Sequence, residues 1–90
     1  MRGNFEVENS AYPVAALPDG NGRYFVTCMI GLDRMHDAPI HHEAASEIAR
    51  RTNDLHRKSR ETGWRGHGLS PEVLTYAKAR VDMYQASLIE

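Results

Sequence analysis

The residues best suited to bind a ligand surround a glycine-rich bend in the second half of this 90-residue sequence. Residues 61 to 72 hold the single tryptophan and three glycines between two stretches with helical patterns. Guanidinium groups bind phosphate through paired hydrogen bonds, and an indole ring stacks on nucleobases. The bend is therefore a candidate site for an anionic ligand, either a nucleic acid or a nucleotide. The candidate residues are His56, Arg60, Trp64, Arg65 and His67.

A purely structural interpretation of the same bend stays open. Gly63 suits the left-handed residue that ends a helix, and Trp64 could fold back on the bend as a hydrophobic cap. The sequence has no Walker-type Gly-Lys-Ser/Thr motif and no dinucleotide-binding glycine pattern after a strand. Binding of an anionic ligand is therefore the alternative hypothesis rather than the leading one.

Five histidines raise the question of a metal site, with His36, His41 and His42 as the closest group. His41 and His42 would point about 100° apart on a helix, the sequence has no His-Glu-x-x-His motif, and one cysteine cannot build a structural zinc site. That cysteine, Cys28, lies in an apolar run, and no serine occupies a Gly-x-Ser-x-Gly motif. We therefore expect no metal, no cofactor and no enzymatic activity.

A β-hairpin is the strongest local prediction for the first third of the chain. Residues 11 to 17 form an extended segment that Pro13 restricts to a sheet edge, and residues 4 to 8 alternate like a further short strand. The turn formers of residues 18 to 22, PDGNG, tolerate the positive φ angles that hairpins need. The sequence thus predicts a small antiparallel sheet around a hairpin at residues 11 to 32.

The returning strand of that hairpin, residues 23 to 32, is apolar on both faces. Its second face carries Phe25 and Met29, where an outer face would normally be polar. We therefore expect other parts of the chain, or a partner, to cover both faces.

Two antiparallel helices should follow, at about residues 39 to 61 and 71 to 89. Asp37 is the expected N-cap of the first helix, and Ser70-Pro71 supplies an N-cap and a first-turn proline for the second. The fold class is therefore α+β in a single domain. Its parts are a β-rich segment, residues 1 to 36, and a helical hairpin, residues 37 to 90, that packs on one face of the sheet.

Most charges of the first helix should pair with each other on a solvated face. Glu47 precedes two arginines by three and four residues, and Asp54 precedes Arg57 and Lys58 in the same way. The second helix differs because it carries two apolar series. One series suits packing on the first helix and the sheet: Leu74, Ala77, Val81, Tyr84 and Leu88. The other lies roughly opposite: Tyr76, Ala79, Met83 and Ala86.

The second apolar series, together with Phe25 and Met29, predicts a protein contact surface. So short a chain can cover only one of the two apolar series of the second helix, which leaves the other for a partner. The alternative is that Tyr76 and Met83 are isolated surface residues. Net charge is only −1, although residues 1 to 47 carry three basic side chains against seven acids and residues 48 to 90 carry eight against five. The whole molecule is therefore not a strongly basic nucleic-acid binder.

A single cysteine, an acidic start and no apolar run that could span a bilayer favour a cytoplasmic protein without membrane insertion. The leading hypothesis is a small non-enzymatic interaction protein that binds and regulates or inhibits a larger protein partner, as a homodimer. The alternative is a binder of nucleic acid or nucleotide through the bend that contains Trp64.

Overall fold

The computed structural model describes residues 12–30, 33–34, 36 and 39–89, with the side chains of 33–34 and 85–89 left undescribed. The elements follow in the order β1 (Val14–Pro18), β2 (Tyr24–Cys28), β3 (Asp33–Arg34), α1 (His42–Glu61) and α2 (Pro71–Ile89). This is the predicted α+β fold, a small antiparallel sheet followed by two helices. The strand predicted at residues 4 to 8 and the cap predicted at Asp37 lie outside the described residues.

The three strands pair in the order β1-β2-β3, with both pairs antiparallel. Val14 faces Cys28 and Pro18 faces Tyr24. In the order of the described strands β1 comes first, so it is an edge strand, as predicted. In the turn between β1 and β2, Asp19 Oδ1 accepts hydrogen bonds from the backbone N–H groups of Asn21 (2.7 Å) and Arg23 (3.1 Å). Aspartate side chains commonly hold turns in this way, and the predicted hairpin is confirmed.

The core lies between one sheet face and α1. Val14, Val26 and Cys28 are buried on that face, and alanines and isoleucines pack against them. The α1 side of the core consists of Ala44, Ala45, Ile48 and Ala49. Small residues on α1 let the helix pack closely against the sheet, and Ala77 and Val81 of α2 belong to the same core.

Helix α1 begins three residues later than predicted, at His42 rather than at about residue 39. Its N-cap is His41, whose backbone is extended (φ −59°, ψ 150°) and whose side chain makes no capping hydrogen bond. The cause is Ile40, which is fully buried and exchanges two 2.8 Å backbone hydrogen bonds with Tyr24. Because these bonds hold Ile40 in the sheet ladder, the helix cannot start before it.

The end of α1 and the start of α2 agree with prediction. After the C-cap Thr62, the backbone N–H groups of Gly63 and Trp64 donate to the carbonyls of Arg60 (3.3 Å) and Ser59 (2.9 Å), which is the Schellman pattern. Gly63 has the positive φ, +124°, that this ending requires. Helix α2 begins at Pro71, where Ser70 Oγ accepts the N–H of Val73 at 3.3 Å.

Helix α2 packs chiefly against α1, and its residues Ala77 and Val81 belong to the same core cluster as Val14 and Val26 of the sheet. Its buried residues are Val73, Ala77 and Val81, and within the described part of the chain no Cα atom of α2 lies within 8 Å of one in a strand. A helix is roughly 10 Å wide, and a sheet of three strands spaced about 5 Å apart is wide enough for about one helix on a face. Helix α1 already occupies that face, so α2 lies farther from the strands, although its buried side chains reach the same core.

Candidate functional site

The bend between the helices is held by Trp64. Its indole Nε1 donates a 3.0 Å hydrogen bond to the carbonyl of Gly68, and the ring is half-buried. A Cβ on Gly66 would lie 2.5 Å from the ring, so glycine at this position is what lets the ring lie across the loop. The tryptophan therefore lies across the bend and holds it closed through this hydrogen bond.

The two arginines of the predicted anion site donate to carbonyls of the same bend. Arg60 Nη1 donates to the Gly66 carbonyl at 3.0 Å, and Arg65 Nη1 donates to those of Arg60 (2.9 Å) and Trp64 (3.1 Å). Cationic side chains commonly satisfy the last carbonyls of a helix. Some of the guanidinium N–H groups of Arg60 and Arg65 thus hold the loop closed.

The remaining members of that predicted site do not share one surface. His56 is 3% exposed, with Nδ1 buried and without a hydrogen-bond partner among the described residues, whereas His67 is exposed. Burial, and then the nearby charge of Arg60, lowers the pKa of His56 below its ordinary value. A depression of about 370 Å³ beside Trp64 is lined by none of the four basic candidates. Anion binding at the bend stays a prediction.

The outer side of α2 carries the second apolar series. Met83 is 60% exposed, Ala79 is exposed and Tyr76 is half-buried, while Ala86 is a residue whose side chain is not described. Arg80 borders this strip, with Nη1 3.9 Å from the Met83 sulfur and its guanidinium carbon 6.0 Å from the Tyr84 ring centre. We call Tyr76, Ala79 and Met83 the outer strip of α2.

The second face of β2 is partly covered by the chain itself. Phe25 and Met29 are half-buried, and the His36 ring lies 5.5 Å from the Phe25 ring, centre to centre. His36 Nε2 also accepts the backbone N–H of Val26 at 2.9 Å. The strand that is apolar on both faces therefore obtains cover from the segment after it, and it gives less support to a contact surface than α2 does.

The histidines near the start of α1 make local contacts. The His42 ring lies 4.6 Å from the Tyr24 ring, and its Nε2 is 3.2 Å from the hydroxyl oxygen of Ser46. Within the described residues, no three histidine, cysteine or acidic side chains come together as metal ligands would.

Neither described helix is long and apolar enough to cross a membrane.

The charges of α1 pair largely as predicted. Arg51 contacts Glu47 at 3.0 Å, and Asp54 pairs with both Arg57 and Lys58. Arg50, which could also have paired with Glu47, makes no ion pair with any described residue. Among Arg50, Arg51, Arg57 and Lys58, Arg50 is therefore the residue whose charge is not balanced by an ion pair with a described residue.

Sequence reasoning missed a cleft on this face of α1. The cleft holds about 510 Å³ and is lined by Tyr12, Arg50, Arg51, Asn53, Asp54 and Arg57. It forms because Asn53 binds the backbone of Val14 through two 2.9 Å hydrogen bonds, which brings the start of β1 against α1. The charge pattern of α1 was visible in the sequence, but the arrival of Tyr12 beside it was not.

Comparison of the chain with family models, with curated proteins and with solved structures finds no match in any of the three.

Proposed function

We propose that this chain is a small non-enzymatic interaction protein that associates with a second copy of itself through the outer strip of α2. The observation that carries the proposal is the position of α2, which packs chiefly against α1. On the side away from that contact it presents an alanine and a methionine to solvent. Exposed apolar residues at helical spacing are what a partner helix buries.

The shape of the outer strip suits a two-fold axis. Tyr76 and Met83 are large, lie about 10 Å apart along the helix, and flank the small Ala79. When a second α2 lies antiparallel across this point, Met83 of each copy meets Tyr76 of the other. Such a contact is self-complementary, as symmetric dimers require, and sulfur-aromatic contacts of this kind are favourable.

The charges beside the strip are compatible with this pairing. Arg80 lies close to the proposed axis, where two copies of its charge would repel each other. Its side chain instead extends along its own helix toward Met83 and Tyr84. The guanidinium is thereby directed away from the axis, and the small Ala79 remains at the point of closest approach.

The wider role that we propose is binding of a larger protein, which the dimer would regulate or inhibit. In a dimer joined through α2, the face of α1 that points away from α2 stays available to such a partner. The single buried thiol, Cys28, fits a reducing compartment, and we propose a cytoplasmic location on that ground.

The test is the mass of the protein in solution, measured by light scattering and analytical ultracentrifugation over a range of concentrations. We expect a dimer, and Met83→Asp should raise its dissociation constant roughly tenfold or more because the charge would be buried in an apolar contact. Lys78→Gln is the matched control: it lies on an exposed part of the same helix, lowers the net charge by the same amount and should leave the dimer intact.

Two results would refute self-association through this face: a wild-type chain that is monomeric at every concentration, or a Met83→Asp chain that remains as dimeric as the control. Circular dichroism of each variant would verify that the helices are retained. Once the dimer is established, a pull-down with wild-type and with Met83→Asp chains as bait would report whether binding of the larger partner requires the dimer.

A further inference from the structure

The cleft beside α1 has the dimensions of a small-molecule site. Its volume of about 510 Å³ falls in the range of ordinary ligand pockets, roughly 300 to 1,000 Å³. One wall is α1, where Arg50 and Arg57 stand two helical turns apart, and the other begins at Tyr12. This cleft is separate from the bend at Trp64 and from the outer strip of α2.

The lining of the cleft is positively charged. Three guanidinium groups, those of Arg50, Arg51 and Arg57, face one carboxylate, Asp54, which leaves a net charge of +2 on the lining. Glu47 and Glu61 bind two of these arginines from outside the lining. The paired arginine side chains are about half exposed, and ion pairs in such positions contribute little. A phosphate can therefore compete for the same guanidinium donors.

The aromatic group of the cleft adds a second kind of contact. Tyr12 is 75% exposed, the largest exposed fraction among the large hydrophobic residues that the structure describes. A phenol ring beside guanidinium groups offers a flat surface on which a nucleobase stacks while its phosphates bind the arginines. An inorganic anion, or a peptide with only carboxylate side chains such as polyglutamate, would use the guanidinium groups alone.

The cleft is also held in place before any ligand arrives. Asn53 lies in its lining, and its amide is fixed by hydrogen bonds to both the N–H and the C=O of Val14. These bonds tie the α1 wall to the chain segment that carries Tyr12. A site whose walls are already fixed loses less entropy when it binds.

We infer that this cleft binds a nucleoside phosphate, with the phosphates on Arg50 and Arg57 and the base against Tyr12. The ligand can be a free nucleotide or one unit of a single-stranded nucleic acid, since both present the same base and phosphate chemistry. The inference does not depend on dimer formation through α2.

Titration at low salt with ADP, with a fluorescent single-stranded oligothymidine, with pyrophosphate and with polyglutamate tests the inference. We expect ADP or oligothymidine to bind, and Arg50→Ala to weaken that binding roughly tenfold through loss of a charged hydrogen bond. Lys78→Ala is the control of equal charge change and should bind as the wild type does. If oligothymidine binds and its affinity falls steeply with added salt, the preferred ligand is a single-stranded nucleic acid. If the affinity depends only weakly on salt, the preferred ligand is the free nucleotide.

Further variants separate this cleft from the bend. Tyr12→Ala should weaken ADP more than pyrophosphate, and Tyr12→Phe should restore ADP binding because the ring is kept. Several outcomes would overturn the inference: no binding of ADP or oligothymidine at low salt, binding of polyglutamate alone, pyrophosphate bound as tightly as ADP, or loss of binding in Arg65→Ala but not in Arg50→Ala. The last result would place the anion at the bend.

Discussion

The side-chain amide of Asn53 occupies the place of a neighbouring strand beside Val14. Its Oδ1 accepts the Val14 N–H and its Nδ2 donates to the Val14 carbonyl, both at 2.9 Å and both buried. Since β1 is an edge strand, its outward backbone groups would otherwise be open to pairing with another chain. The same strand ends in Pro18, which has no N–H to offer. One helix side chain and one proline thus protect much of this edge.

Replacement of Asn53 should be among the most destabilising single changes in the chain. Asn53→Leu would leave the Val14 N–H and carbonyl buried without partners, which we expect to lower the free energy of unfolding by roughly 2 to 4 kcal/mol. Urea denaturation followed by circular dichroism measures this. Arg51→Ala, at an exposed position of the same helix, should change stability by less than about 0.5 kcal/mol. Equal losses in the two variants would contradict the role given to Asn53.

Gly66 should not tolerate even a methyl group without moving Trp64. In Gly66→Ala the new Cβ would overlap the indole ring, so the ring must leave the loop. We expect the emission of this single tryptophan to shift to longer wavelength as it becomes more exposed, with a loss of roughly 1 to 3 kcal/mol in stability. Lys78→Ala, at an exposed position of α2 away from the bend, should leave the emission unchanged. Unchanged emission in Gly66→Ala would mean that Trp64 does not cap the bend.

The cap of α2 offers a smaller, well-defined effect. Ser70 is buried, and its hydroxyl oxygen accepts the Val73 N–H at 3.3 Å. Ser70→Ala should therefore cost about 1 kcal/mol of stability, while Ser70→Asp, which keeps an acceptor at the N-cap, should recover part of it. Thermal unfolding of the three chains decides the matter. A stability of Ser70→Ala equal to that of the wild type would show that this cap contributes nothing.

The features that the sequence predicted well depend on residues that lie close to each other along the chain. The turn around Asp19, the helix end at Gly63 and the helix start at Pro71 each depend on hydrogen bonds within about five residues. The start of α1 was predicted too early because it depends on the pairing of Ile40 with Tyr24 in a different element. Local propensity carries no information about such a bond.

The candidate sites show the same division. The ion pairs of α1 follow from spacings of three and four residues and were predicted. The cleft beside them depends on Asn53 and Val14, which are 39 residues apart in sequence, so no periodic pattern could reveal it. At the bend, Arg60 and Arg65 bind backbone carbonyls, which are present at every position and leave no mark in the residue types.

Stability should depend on pH through His56. Burial, with a smaller effect of Arg60, lowers its pKa in the folded chain below the ordinary value of 6.5 that applies when the chain is unfolded. Between those two values the unfolded chain binds the proton and the folded chain does not, so stability is lost as the pH falls below 6.5. The contribution is fully present above that pH. Denaturation curves from neutral to mildly acidic pH should show this fall.

Two variants assign this pH dependence to His56. His56→Leu cannot bind a proton and removes the buried Nδ1 that has no partner among the described residues, so its stability should vary less between pH 7 and pH 5 than that of the wild type. These two pH limits enclose the ordinary value of 6.5. The matched control is His41→Gln, at an exposed histidine position, which should retain the wild-type dependence. A His56→Leu profile that loses as much stability as the wild type over this range would assign the acid sensitivity to other groups and contradict the role of this buried imidazole.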